Sequence, residues 1–141
     1  MWQLQLRGLG YARRVGGPAL QACWKTPLPS IGSDWRQVSF LVVVAELSSR
    51  DASEGELLSV GWVVVEGGSI ALDSARHYLI KPENSVGQSA TIHNLRDCEL
   101  TEADSREEVL QRFLDAVAGK VLVFHNAALD MACLLYTSPS P

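Results

Sequence analysis

The stretch Phe40–Ser49, FLVVVAELSS, constrains the chain more than any other. It opens on an unbroken apolar run, Phe40 to Ala45, rich in β-branched residues, and ends on a carboxylate, Glu46. A short apolar run bounded by polar residues reads as a strand buried on both faces at the centre of a sheet. Glu46 then stands at the carboxyl end of that strand, where open α/β sheets place their ligands. The plainer alternative is that Glu46 marks the point where the strand reaches water.

The rest of the chain supplies partners for such a strand. Leu57–Glu66 reads as a second strand, Gly67-Gly68 as a tight hairpin turn whose two positions tolerate positive φ, and Ser69–Lys81 as a returning, partly exposed edge strand. A connecting region, residues 86–104, carries His93. Ser105-Arg106-Glu107-Glu108 is a capping box, and Val109, Leu110, Phe113, Leu114 and Val117 follow at helical spacing until Gly119 stops the helix. Lys120–Phe124, KVLVF, is another buried strand, expected to run parallel to the first because a helical crossover leads to it. A second helix is expected over Ala127–Leu135 with Asn126 as N-cap. Tyr136–Pro141 breaks it with two prolines, and reads as a disordered or non-native tail.

Residues 1–38 form a heterogeneous lead-in, with a short basic helix around Arg7, Arg13 and Arg14, a helical turn over Pro18–Trp24, and Trp35 set to pack on the main domain. The expected organisation is therefore an N-terminal extension over 1–38, an α/β domain over 39–134 and a tail over 135–141.

A net charge of −4 argues against a purely electrostatic grip on a phosphate backbone, but leaves room for an acidic enzyme that works through metal ions. Cys23, Cys98 and Cys133 are far apart, which fits a reducing compartment and gives neither a disulfide framework nor a zinc site. No secretory signal and no membrane-spanning run is present, so the chain is expected to be soluble and cytoplasmic.

Glu46 and Asp130 are the pair that carries chemistry. Each lies just past the carboxyl end of a strand, and two carboxylates meeting there could hold hard divalent cations. Asn126 and Asp130 are four apart and share a helix face. The alternatives are a simple cap for Asn126 and a first-turn acid stabilised by the helix dipole for Asp130.

The segments FLVVVAELSS, ELLSVGWVVVEGG, QSATIHNL and VLVFHNAALD together resemble the proofreading-type 3′–5′ exonucleases of the DEDDh group, similar to the epsilon subunit of bacterial DNA polymerase III. The resemblance covers roughly residues 40–134. It implies a ribonuclease-H-like mixed sheet, with antiparallel β1-β2-β3 followed by a helix and a parallel β4, here C-terminally incomplete. It implies hydrolysis of the terminal phosphodiester at a nucleic-acid 3′ end, DNA ahead of RNA, with two Mg2+ or Mn2+ ions and a polymerase or repair partner. By the same resemblance Glu46 and Asp130 are the catalytic, metal-holding carboxylates. Leu47, Ser48, His93 and Asn126 would touch the terminal nucleotide.

The match breaks in two places. The first family motif is D-x-E, whose carboxylates face one way because residues two apart on a strand do so. Its Asp position is Val44 here. The third family motif is H-x-x-x-x-D with a His general base; neither His77 nor His93 begins one, and His125 with Asp130 belongs to the second motif by the same resemblance. The resemblance therefore implies a fragment of an exonuclease domain with little or no activity of its own. The alternative is a non-catalytic nucleic-acid-binding or protein-interaction module of the same fold.

Overall fold

The computed structural model describes residues 18–48, 56–82, 103–128 and 130. Its strands are β1 (Phe40–Leu47), β2 (Leu57–Glu66), β3 (Ser69–Leu79) and β4 (Val121–Phe124), joined in one sheet of order β3-β2-β1-β4. β1 pairs antiparallel with β2, and β2 antiparallel with β3. β4 lies parallel to β1, with Phe40 opposite Val121 and Val43 opposite Phe124. This is the ribonuclease-H-like α/β arrangement that the sequence implied. Among the described residues no helix is long and apolar enough to cross a membrane.

Local chemistry sets the element ends. Gly67 and Gly68 turn the β2–β3 hairpin at φ +58° and +77°, left-handed backbone that side chains with a Cβ resist. Two helices are described, α1 (Pro18–Lys25) and α2 (Arg106–Val117). The Ser105 hydroxyl accepts from the Glu108 N–H (3.3 Å), and the Glu108 carboxylate accepts from the Ser105 N–H (3.2 Å), closing the capping box of α2. Gly119, at φ +72°, ends that helix.

The core lies on one face of the sheet. Leu41 and Val43 of β1, Val60 and Trp62 of β2, and Val109 and Phe113 of α2 form it with Leu47, Leu57 and Ile80. Trp62 meets Phe113 edge-on, with ring centroids 5.8 Å apart, and tilts against Tyr78 at 5.2 Å. Arg112 closes the rim. Its guanidinium lies over the Tyr78 ring and is hydrogen-bonded to Asp104, which raises its pKa further.

The opposite face corrects the expectation that β1 and β4 are buried on both sides. Val42 is 37% and Val44 56% exposed, and Val121 and Val123 of β4 are exposed beside them. Their side chains alternate with the core residues, and no described element covers that face. β3 also departs from a simple ladder. Between the Trp62–Arg76 and Val64–Ala71 pairs, two steps of β2 are matched by five of β3, so a bulge is taken up there. Ser74 repairs it: its hydroxyl accepts from the Val64 N–H (2.8 Å) and donates to the Ala71 carbonyl (2.6 Å).

The lead-in after residue 17 packs onto this body. α1 lies against α2. The Thr26 methyl comes so close to Gly119 that a Cβ there would stand 2.9 Å from it. A 3₁₀ turn, Trp35–Gln37, is capped by Asp34, whose side chain accepts from the Arg36 N–H. The Trp35 ring rests on Gly68, 3.2 Å from where a Cβ would be. The expected basic helix within residues 1–17, the turn over 49–55, the connecting region with His93, and the helix and tail beyond 130 lie outside the described residues.

Candidate active site

The parallel pairing of β1 with β4 decides what meets what. Both strands point their carboxyl ends the same way, so the chain leaving each arrives at the same end of the sheet. Glu46 is the penultimate residue of β1, half-buried, and points to the same face as Val44 and Val42. Across the ladder its partner is Ser59 of β2, which is buried. The register shifts between Glu46 and Leu47, so the strand bends immediately after the carboxylate.

β4 delivers the second carboxylate. After Phe124 the chain passes His125 and Asn126 and enters a helical turn at Ala127. The Asp130 N–H donates to the Asn126 carbonyl at 2.9 Å, which makes Asn126 the N-cap, as the sequence suggested. Asp130 is buried, and its Oδ2 accepts a long bond (3.4 Å) from the Asn126 N–H. Buried acids are rarely tolerated without a partner. Here a backbone donor at a helix N-terminus supplies part of that compensation.

Of the other candidate residues, Leu47 is buried in the core, so only its backbone can face a ligand. Ser48 closes the strand end. Its N–H donates to the Glu56 carbonyl (2.9 Å), and its hydroxyl oxygen accepts from the Glu56 N–H (2.8 Å). A hydroxyl that accepts one bond still has its own hydrogen to donate. Asn126 is exposed at the mouth of the same end. His93 lies outside the described residues. Sequence reasoning passed over His77, which stands on the open face opposite Gly61. Counting back from the hairpin turn would have put Ser74 there, and the β3 bulge moves His77 into its place.

The donor set favours a hard cation, but sparsely. Carboxylate oxygens suit Mg2+ or Mn2+, and Mg2+ is commonly held by one or two carboxylates with water and substrate phosphate completing its shell. Val44, at the next position on Glu46's face, contributes only methyl groups. Among the described residues no group of three or more His, Cys, Asp and Glu side chains comes together to hold a metal. The described residues thus offer such an ion two carboxylates at most, Glu46 and Asp130, and none from position 44.

Comparison with known proteins identifies the family. A family described as Exonuclease (RNase_T) matches residues 45–138, beginning one residue after Val44. A DNA polymerase III PolC-type of Thermotoga maritima is 31% identical over 99 residues, covering 70% of this chain and 7% of the relative. DNA polymerase III epsilon subunits of Pasteurella multocida and Escherichia coli are each 30% identical over 83 residues, covering 54% of this chain and 33% and 34% of theirs. The chain thus spans less than a tenth of the polymerase it matches and about a third of each epsilon subunit.

Proposed function

The chain belongs to the exonuclease family of the RNase_T type, and on that premise we propose that it is a 3′–5′ exonuclease domain of the DNA polymerase III epsilon kind that binds nucleic-acid 3′ ends but cuts them poorly or not at all. The observation that supports this reading is the parallel β1–β4 pair, which carries Glu46 and Asp130 to one end of the sheet. The functional body is residues 39–134, with 1–38 as an N-terminal extension and 135–141 as a tail.

In this reading Glu46 and Asp130 hold a divalent cation, Mg2+ or Mn2+. Such an ion activates water and stabilises charge on the phosphate when it is bound. The Leu47 backbone, the Ser48 hydroxyl, Asn126 and His93 hold the terminal nucleotide in place, DNA before RNA. Val44 removes the ligand that would complete the set, so the residues present bind and orient a strand end more than they support its hydrolysis. A soluble cytoplasmic setting beside a replicative or repair polymerase suits such a domain.

A second reading rests on Val44 itself. An exposed valine in the middle of a ligand-binding face suits a module that binds strands without cutting them. One experiment decides whether any cutting remains. Release of mononucleotides from a 3′-labelled single strand is measured with Mn2+, alongside binding of the same strand. Weak, metal-dependent release that is lost in Glu46→Gln supports the residual exonuclease. Binding with no release supports the silent module. Failure to bind the strand under either condition refutes both.

A further inference from the structure

On the open face of the sheet, one pleat below Glu46, three residues fall in a single row: His77 on β3, Gly61 on β2 and Val44 on β1. A Cβ built on Gly61 would stand 3.4 Å from His77 Cδ2 and 3.4 Å from Val44 Cγ1. Upright cross-strand neighbours keep their Cβ atoms about 4.5–5.5 Å apart. A ring carbon this close to its neighbour's Cβ position means that the imidazole leans off its own strand and over Gly61. Val44 leans in from the other side. The glycine is a notch, and the histidine fills it from the edge facing away from Asp130.

The ring is exposed, and among the described residues its nitrogens make no hydrogen bond or ion pair. Among the described residues the other open-face positions of β2 and β3 nearby are Ser59, Val63, Val65, Ile70 and Leu79, so His77 is the imidazole that these two strands present. Arg76 next to it is turned away, its guanidinium donating to the Asp73 and Ala75 carbonyls at 2.8 Å. An exposed imidazole lying over Gly61 beside the Val44 methyls, without a partner among the described residues, has the chemistry to donate to an anionic oxygen.

We propose that His77 binds a backbone phosphate of the nucleic-acid strand whose 3′ end reaches Glu46, so that Gly61 forms the floor over which the strand passes. The proposal rests on the reading of this sheet end as a strand-binding site. It adds a second anchor away from the carboxylates, on the side of Val44 that the metal-holding residues do not reach. A hydrogen bond to a charged oxygen is stronger than a neutral one, so its loss is measurable even on an exposed surface.

The test is fluorescence anisotropy of a 3′-labelled single-stranded oligonucleotide with the full chain in EDTA, which removes any contribution from a metal. His77→Phe keeps the ring shape over Gly61 but has no N–H, and is expected to weaken binding by about tenfold. His77→Asn keeps a donor and is expected to recover most of that loss. Replacing single linkages near the 3′ end by neutral methylphosphonate should, at one linkage, erase the difference between wild type and His77→Phe. Wild-type affinity in His77→Phe, or a loss that no methylphosphonate erases, overturns the proposal while the strand-binding reading stands. Absence of binding by the wild type overturns both.

Discussion

Val44→Asp is the most informative single change in this chain. Val44 is 56% exposed, so less than half of its side chain has left water. Full burial of a valine contributes about 1.5–3 kcal/mol, and losing the buried part here costs no more than about 1 kcal/mol. The new carboxylate stands two residues from Glu46 on the same face, roughly 7 Å away by strand geometry. Two like charges at that separation repel by about 0.6 kcal/mol in water and about 2.4 kcal/mol at the effective dielectric of a protein surface. Without divalent ions the variant should therefore be less stable than wild type by roughly 1–3 kcal/mol. Metal reverses the sign. An ion that binds only the folded state adds about 2.7 kcal/mol at a hundred times its dissociation constant. Thermal melts of wild type, Val44→Asp and Val44→Asn with and without Mn2+, at matched ionic strength, read this directly. The expected result is a metal-dependent rise in Tm that is large in Val44→Asp, small in wild type and small in Val44→Asn. An equal rise in all three would refute the placement of Glu46 and position 44 in one metal site.

Three further outcomes follow from the fold. Leu41→Ala, at a fully buried position, should lower stability by about 2–5 kcal/mol in urea denaturation, whereas Val42→Thr on the open face should change it by less than about 1 kcal/mol; comparable losses would mean that both faces are covered. Gly119→Ala should cost more than about 1 kcal/mol, since Gly119 is left-handed and a Cβ would meet the Thr26 methyl at 2.9 Å; adding Thr26→Ser should recover the steric part and leave the backbone part, read in a double-mutant cycle. Burial pushes the Cys23 thiol up, which keeps its reactive thiolate scarce, so labelling by a disulfide reagent at pH 8 should be slower in the native chain than in urea and should accelerate as pH rises; equal rates would place Cys23 in free solvent.

What the sequence made legible was whatever a few neighbouring residues decide among themselves. The Ser105/Glu108 box, the Gly67-Gly68 turn and the Gly119 stop are local, and each stands where its chemistry indicates. The parallel course of β4 was legible too, because a helix between two strands leaves few other routes. Exposure of Val42 and Val44 was not legible in the apolar run itself. A valine run reads the same whether one face or two are covered, and covering is decided by which helices arrive, here α2 on one side. The β3 bulge was equally silent, since it depends on Ser74 capturing the Val64 N–H from the next strand. His77 was missed for that reason: its neighbourhood is set by the bulge and by a glycine sixteen residues earlier in the chain, with no motif around it. Glu46 and Asp130 could be assigned to one end of the sheet from the sequence because each follows a strand and the two strands run parallel.

Gly68 and Gly119 are conspicuous for what rests on them. One receives the Trp35 ring and the other the Thr26 methyl, and both lie at the end of the sheet away from Glu46. Between those two footholds runs the chain from Thr26 to Trp35, and from there Ser39 enters β1 with its carbonyl accepting from Val121 and its hydroxyl donating to Glu66. The segment recognised as exonuclease begins only at residue 45, inside β1. The start of the family match and the boundary of mechanical integrity therefore do not coincide. A piece cut to the first would lose most of the central strand and the fastening that ties hairpin, helix and β4 together at their common base. Any excision, fusion or exchange of this domain has to be made upstream of that fastening.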